Sequence, residues 1–242
     1  MIDFNKIQMR DAFIKGLIEK AAADSQIIFI SNEYGAPSLD RFREELPGQF
    51  INAGISEQNI ISVAAGLATE GKKVFVYSIA SFITLRCFEQ LKLDICSHRL
   101  PVTILGVGTC YAYSQDGPTH HATEDISIMR ALAGMRIYSP SDSRMAFDLV
   151  EHALTLDSPS YIRFDKGTFP VLTPGKCDFS NGSRQLSTLQ DSEEDLSEKD
   201  IYIIATGIMV PRALNVARQL RSHRIRAGVI DLFRLKPLDT PG

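Results

Sequence analysis

The chain has 242 residues, with 26 Lys+Arg against 29 Asp+Glu, 44% hydrophobic and 23% charged residues, and no Trp. That length holds one large domain, or one domain plus a fragment, with enough chain to bury a core. A formal net charge of -3 gives no electrostatic case for nucleic acid or an anionic membrane as partner.

Met1-Ile2-Asp3-Phe4-Asn5-Lys6 lacks the basic-then-apolar layout of a signal peptide. An amphipathic helix is predicted over 7–22, then a buried strand over 27–30 and a second short strand over 50–53. From Ser56 to Glu70 small and apolar residues cover most of the surface, so that helix is expected to be buried. A strand over 74–77, a helix over 82–96 and a strand over 102–105 follow, and then a loop over 106–124. Helix 125–132, strand 135–138, helix 142–156 and strand 161–164 complete an alternating pattern. Such alternation argues for an α/β fold with a mostly parallel sheet and helices on both faces.

After Asp165 the pattern breaks. Residues 166–199, with scattered Gly, Ser and Pro and the acidic stretch Asp191-Ser192-Glu193-Glu194-Asp195, read as a solvated linker. Strand 201–204, helix 211–221 and strand 227–230 open a partial second α/β domain. The expected division is 1–165, 166–199 and 200–242. No stretch reaches the about 18 to 20 apolar residues that span a bilayer. Cys87, Cys96, Cys110 and Cys177 lie far apart, without a C-x-x-C pair, so neither a zinc site nor a disulfide framework is indicated. A reduced, cytoplasmic protein is the expectation.

Two glycine patterns mislead. Gly66-Leu67-Ala68-Thr69-Glu70-Gly71-Lys72 has the spacing of a phosphate-binding loop, but Lys73 follows where Ser or Thr is required. It also ends a helix rather than opening one, so Gly71 reads as a helix C-cap. Gly106-Val107-Gly108 follows a strand, yet Tyr111 replaces the third glycine of a dinucleotide turn.

Chemistry concentrates in three segments. In Gly54-Ile55-Ser56-Glu57-Gln58-Asn59, Ser56 can cap the helix and Glu57 can be a first-turn acid. A carboxylate facing an otherwise apolar interior, however, requires a partner. In Ile79-Ala80-Ser81-Phe82, with Arg86, Glu89 and Gln90 beyond, Phe82 alone would be core packing. Gln115-Asp116-Gly117-Pro118-Thr119-His120-His121, followed by Glu124-Asp125, lies after a parallel strand, where open α/β sheets bind ligands. A metal held by His120, His121 and Asp125 is disfavoured, because adjacent histidines do not turn easily to one ion.

Together these segments resemble the transketolase family of thiamine diphosphate enzymes, in its pyrimidine-binding domain. The stretches are GISEQNIISVAAGLATEGKKVFVYS, ASFITLRCFEQLKLDI, DGPTHHATEDISIMRALAGMRIYSPSD and SPSYIRFDKG, with IDLFRLKPLD resembling the start of the family's carboxy-terminal domain. The resemblance covers about residues 8 to 240 and is close both to separately encoded carboxy-terminal transketolase subunits and to deoxyxylulose-phosphate synthases. It implies thiamine diphosphate as cofactor and Glu57 as the catalytic acid that hydrogen-bonds the pyrimidine nitrogen and promotes its imino form. It implies Phe82 as the ring that stacks on the aminopyrimidine, with Ile79, Arg86 and Gln90 in the same cofactor pocket. His120 matches the catalytic histidine near the reacting carbon, and Asp116 an acid that reads a substrate hydroxyl. Arg163 and Arg10 match arginines that pair with sugar phosphate, a role suited to bidentate binding.

Departures from the family are specific. Ile79 stands where a second aromatic is common. Gly108 falls near a phosphate-binding histidine of some members. Ser31-Asn32-Glu33-Tyr34 replaces a Ser-Ala-Asp-Leu pattern and leaves Glu33 without a role. The family's Gly-Asp-Gly motif, which with a later Asn holds Mg²⁺ and the diphosphate, is absent from the chain.

The resemblance therefore implies no metal ligands here and an amino-terminal partner subunit that supplies Gly-Asp-Gly. The assembly expected is a homodimer or heterotetramer acting on sugars or sugar phosphates, without nucleic acid or membrane. The implied activity is transfer of a two-carbon ketol unit. A decarboxylating synthase of the deoxyxylulose-phosphate type and a non-catalytic interaction subunit are the alternatives.

Overall fold

The computed structural model describes residues 2–32, 35–186 and 199–238. Glu33, Tyr34 and the acidic stretch 191–195 lie outside the described residues. The elements, in chain order, begin with α1 (Met9–Ala21), β1 (Ile27–Ser31), α2 (Pro37–Glu45), β2 (Phe50–Asn52), α3 (Glu57–Thr69) and β3 (Lys73–Ile79). A helical run over 82–96 follows, in which one α-turn, α4 (Phe88–Gln90), separates π-turns at Phe82–Arg86 and Leu91–Cys96. Next come β4 (Val102–Val107), α5 (Asp125–Ala131), β5 (Arg136–Tyr138), α6 (Ser143–Leu154) and β6 (Ser160–Phe164). The remainder is β7 (Ser183–Leu186), β8 (Ile201–Ala205), α7 (Met209–Ser222), β9 (Ala227–Leu232) and β10 (Arg234–Lys236).

Seven strands form one sheet in the order β10-β5-β6-β4-β3-β1-β2, parallel throughout except for β10 against β5. The α/β class and the parallel pairing read from the sequence hold. Along β1 the side chains alternate as the pleat requires. Ile27 and Phe29 join Phe13, Leu17, Phe75 and Leu149 under α1 and α6, whereas Ile28 and Ile30 join Ile60, Ile61, Val74 and Ile83 on the opposite face. Both faces are thus covered, and each fully buried Phe, Ile or Leu contributes about 1.5–3 kcal/mol.

The alternating pattern did not reveal α2. It is short, opens with Pro37 and buries only Leu39 and Phe42, too few residues for a helical period to stand out. The expected burial of α3 holds on one side only. Ile60, Ile61, Ala64 and Ala68 are buried, while Val63 on the other side is exposed. Its end matches the reading of Gly71. With φ of +83°, Gly71 donates to the Ala68 carbonyl, and Lys72 donates to that of Leu67, the paired bonds that close a helix C-terminus.

The solvated-linker reading of 166–199 is corrected in its described part. Leu172 N and Cys177 N donate to Asp142 and Asp148, both on or beside α6. Phe179 is buried against His152 and Phe233. Its residues 183–186 form β7, which pairs antiparallel with β9 in a second sheet of order β7-β9-β8. Scattered apolar residues among polar ones dilute the pattern, yet Phe169, Leu172, Cys177, Phe179 and Leu186 all pack against apolar clusters. Segment 200–242 is likewise not wholly a separate unit, because β10 returns to pair with β5 in the first sheet. Arg184 binds this junction, donating to Asp231 at 3.0 Å and to Ser141 at 3.2 Å, with Asp142 at 3.6 Å. Burial pushes the Asp231 carboxyl up, against the opposing pull of Arg184.

Candidate active site

The carboxyl ends of β1, β2, β3, β4 and β6 open on one side of the sheet, where their loops gather the candidate residues. After β1, the Asn32 side chain donates to the Gly54 carbonyl at 2.8 Å, and Gly54 N donates to Asn52 Oδ1 at 3.0 Å. Gly54 holds φ at +64°, and this turn delivers Glu57 as the first residue of α3. Ser56 occupies the N-cap position, but its hydroxyl donates back to the Ala53 carbonyl at 2.8 Å and caps nothing on α3. The expected side-chain cap is therefore replaced by one that tightens the turn.

Glu57 is 3% exposed, as its apolar helix implied, and accepts from Arg86 Nη1 at 2.7 Å. Burial, and then the Glu57 charge, push the neighbouring Cys87 thiol up to about 12, so it is not a nucleophile at neutral pH. Ile79 closes the end of β3, nearly buried. The π-turn that follows sets Phe82 and Arg86 four residues apart on one face, and the Arg86 guanidinium lies 4.5 Å from the Phe82 ring centroid. Gln90, further along the run, keeps its Oε1 buried without a hydrogen-bond partner.

The loop after β4 is pinned at its base. Cys110 and Ala122 exchange backbone hydrogen bonds of 3.0 and 2.9 Å. Its tip is held by Ser81, which donates to the Thr119 carbonyl at 3.1 Å. His120 then packs edge-on against Phe82 at 4.9 Å, with Nδ1 3.0 Å from Thr119 Oγ1, and Tyr113 sits 5.9 Å away. Ser81, Phe82, Leu85, Arg86, Pro118, Thr119 and His121 line a cleft of about 380 Å³. Asp116 is exposed in a 3-10 turn of the same loop.

The two arginines expected to take phosphate are both committed to carboxylates. Arg163 is 5% exposed and makes a two-pronged contact with Asp125, at 2.9 Å from Nε and 3.3 Å from Nη2. Tyr161 donates to the same carboxylate at 2.9 Å. Burial opposes the charge of Arg163, but Asp125 and then Tyr161 outweigh it. Arg10, at the start of α1, forks onto Asp11 at 2.9 and 3.1 Å, and that hydrogen bond, followed by Tyr77, overrides the desolvation of the guanidinium. Asp125, engaged in this way, is not poised beside His120 and His121 for a metal. Among the described residues no three His, Cys, Asp or Glu side chains gather as metal ligands.

Gly108 has a structural reason. Its φ is +78°, and a Cβ there would lie 2.0 Å from the Tyr113 ring, which fills the space a side chain would need. Gly108→Ala is expected to destabilise the protein by about 1–3 kcal/mol through backbone strain alone, with the clash added. Calorimetric melting of Gly108→Ala, alone and with Tyr113→Ala, checks this: the second change must restore part of the loss. A melting point equal to that of the parent would refute it.

Pattern reading singled out Glu57, Phe82 and His120 as candidates, whereas the long-range contacts around them and around Arg163 had to come from the fold. Ser81, Asn32, Asp125 and Tyr161 act through contacts 22 to 38 residues away in sequence. No local signal marks such contacts.

Known proteins resemble this chain in sequence and in fold. The family description "Transketolase, pyrimidine binding domain" matches residues 5–171, and "Transketolase, C-terminal domain" matches residues 191–242. Among curated proteins, the chain is 36% identical to a subunit of the apulose-4-phosphate transketolase of Phocaeicola vulgatus, over 97% of this chain and 73% of that one. It is 34% identical to the 6-deoxy-6-sulfo-D-fructose transketolase subunit SqwH of a Clostridium species, over 96% and 70%. Among solved structures, a split gene transketolase, an inactive beta4 tetramer, superposes with a TM-score of 0.84 at 32% identity, over 98% of this chain and 75% of that one. No helix among the described residues is long and apolar enough to cross a membrane. In sequence and in fold, the chain belongs to the transketolase family, of which it carries the pyrimidine-binding domain and a carboxy-terminal domain segment.

Proposed function

We propose that this chain is the carboxy-terminal subunit of a split transketolase, transferring a two-carbon ketol unit between sugars or sugar phosphates with thiamine diphosphate. One observation carries the reading: the buried Glu57 carboxylate and the Phe82 ring are arranged so that a single planar group, the Arg86 guanidinium, touches both. A flat nitrogen heterocycle fits the same pair. It would stack on Phe82 and present a ring nitrogen to Glu57, with Ile79, Arg86 and Gln90 around it.

When bound, thiamine diphosphate supplies a carbanion nucleophile that takes up the two-carbon unit. Glu57 is assigned to hold and exchange a proton at its carboxyl oxygen. His120, fixed by Thr119 and Phe82, is assigned to donate or accept at the substrate, and Asp116, in the same loop, to read a substrate hydroxyl.

Arg163 and Arg10 are retained in the reading as residues that shape the substrate end, because their guanidinium groups already hold carboxylates. Residues 1–165 are taken as the pyrimidine unit, 166–199 as its connection and 200–242 as the opening of the carboxy-terminal unit.

The diphosphate and Mg²⁺ are assigned mainly to an amino-terminal partner, because this chain has no Gly-Asp-Gly. An assembly that is inactive without that partner accords with the inactive beta4 tetramer of the similar split gene transketolase. The assembly is taken as a homodimer or heterotetramer in the cytoplasm, and a reduced setting accords with the four free cysteines.

The test mixes this chain with a Gly-Asp-Gly partner chain and thiamine diphosphate, then offers either a ketose donor with an aldose acceptor or pyruvate with an aldehyde phosphate. Turnover of the ketose by the mixture, and not by either chain alone, is the expected result. Pyruvate consumption with CO₂ release would replace the reading by a decarboxylating carboligase. Turnover of neither pair would leave only a non-catalytic subunit.

A further inference from the structure

The Arg86 side chain has two partners at once. Its Nη1 is 2.7 Å from Glu57 Oε2, while its guanidinium plane carries the Phe82 ring at 4.5 Å. The guanidinium is a planar N–C–N group, the same pattern of atoms that a 4-aminopyrimidine presents along its ring-nitrogen and amino edge. Its position therefore imitates the ligand proposed for this pocket. The side chain itself is about half in solvent: it is 46% exposed, against 3% for the carboxylate it pairs with. One end of the contact lies at the start of α3, and the other on the exposed face of the 82–96 run.

We infer that Arg86 is a built-in pseudo-ligand, a positioning residue that fills the aminopyrimidine place in the lone subunit and must be swung off Glu57 and Phe82 before a heterocycle binds. The idea rests on the reading of the pocket given under Proposed function. It adds a competition that the reading does not require.

The energetics suit a displaceable group. A half-exposed ion pair contributes little because water and salt compete for both charges. A guanidinium on an exposed ring face adds a similarly modest attraction. Without Arg86, Glu57 would instead stay buried with that bond unfilled, an outcome that costs more than the pair returns. Arg86 thus supplies one partner of the carboxylate while the pocket is empty and yields that place to a better fitting donor. Its removal should then strengthen ligand binding, the opposite of what removing a cofactor contact or a structural support does.

The experiment measures binding of thiamine diphosphate, and separately of 4-amino-5-hydroxymethyl-2-methylpyrimidine, to the isolated chain by calorimetry. The parent is compared with Arg86→Met and Arg86→Lys. Arg86→Met keeps the aliphatic stem and removes the planar charge, so both probes should bind roughly tenfold more tightly. Arg86→Lys keeps the charge without the plane and should fall between the two. A thermal melt of each variant without ligand confirms that the chain remains folded.

Equal or weaker binding by Arg86→Met overturns the competition and returns Arg86 to an ordinary cofactor contact, leaving the proposed function intact. If neither parent nor variant binds either probe, the competition falls. If, in addition, turnover of the assembled pair survives Glu57→Gln, the pocket assignment falls with it.

Discussion

Glu57→Gln is expected to lower turnover of the assembled pair about 10²- to 10⁴-fold, the usual contribution of a positioned acid or base. Glutamine preserves the shape of the side chain and still accepts a hydrogen bond from Arg86 Nη1, but it cannot release or take up a proton. The carboxylate lies at the amino terminus of α3, a position that favours negative charge. It is also 3% exposed and thus cut off from bulk water as a proton source. Loss of its charge costs the fold little, because the hydrogen bond to Arg86 is kept and that guanidinium is about half exposed to water. Steady-state assays with the partner chain, together with a melting curve, separate the two effects. Turnover within twofold of the parent would end the assignment of Glu57 to proton exchange.

The second large effect concerns stability. Arg163→Met should cost about 3–5 kcal/mol, because it strands the Asp125 carboxylate among buried groups. For a chain of this size each kcal/mol lowers the melting temperature by about 2–4 °C, so a fall of about 10 °C is expected. If Arg163 served only as an exposed phosphate receptor, its removal would leave the melting point unchanged and raise KM for phosphorylated substrates alone. Replacing Asp125 by Leu in the same chain should recover part of the loss, since a pair removed together leaves no lone charge. A fall below about 2 °C for the single variant would contradict the buried-pair account.

How far the sequence could be read depended on the range of the interactions. Pleat alternation and apolar runs marked β1, β3, β4 and β6, because a strand buried on both faces must be continuously apolar. β10 escaped notice because only Leu235 of its three residues is buried, and its partner β5 lies almost one hundred residues earlier. The π-turns at Phe82–Arg86 and Leu91–Cys96 left no sign either, since an extra residue per turn does not alter composition. In the site, residue types in order singled out Glu57, Phe82, Asp116 and His120 as candidates, with roles implied by the family resemblance. Arg163 illustrates the limit. An arginine at a strand end suits oxyanion binding, but whether it faces a cleft or a carboxylate depends on Asp125, which the fold brings up from 38 residues away.

The return of β10 to the first sheet bears on how this protein can be cut. Without it, β5 would become an open edge, with the main-chain groups now used by Arg234 and Lys236 left to seek another strand. Unpaired edges of that kind recruit neighbouring molecules. A truncation before Asp200, drawn to isolate the pyrimidine unit, would unseal the sheet and yield a chain prone to self-association. An excised unit would stay monodisperse only if the segment from Arg234 to Lys236 were supplied again, fused or as a separate peptide.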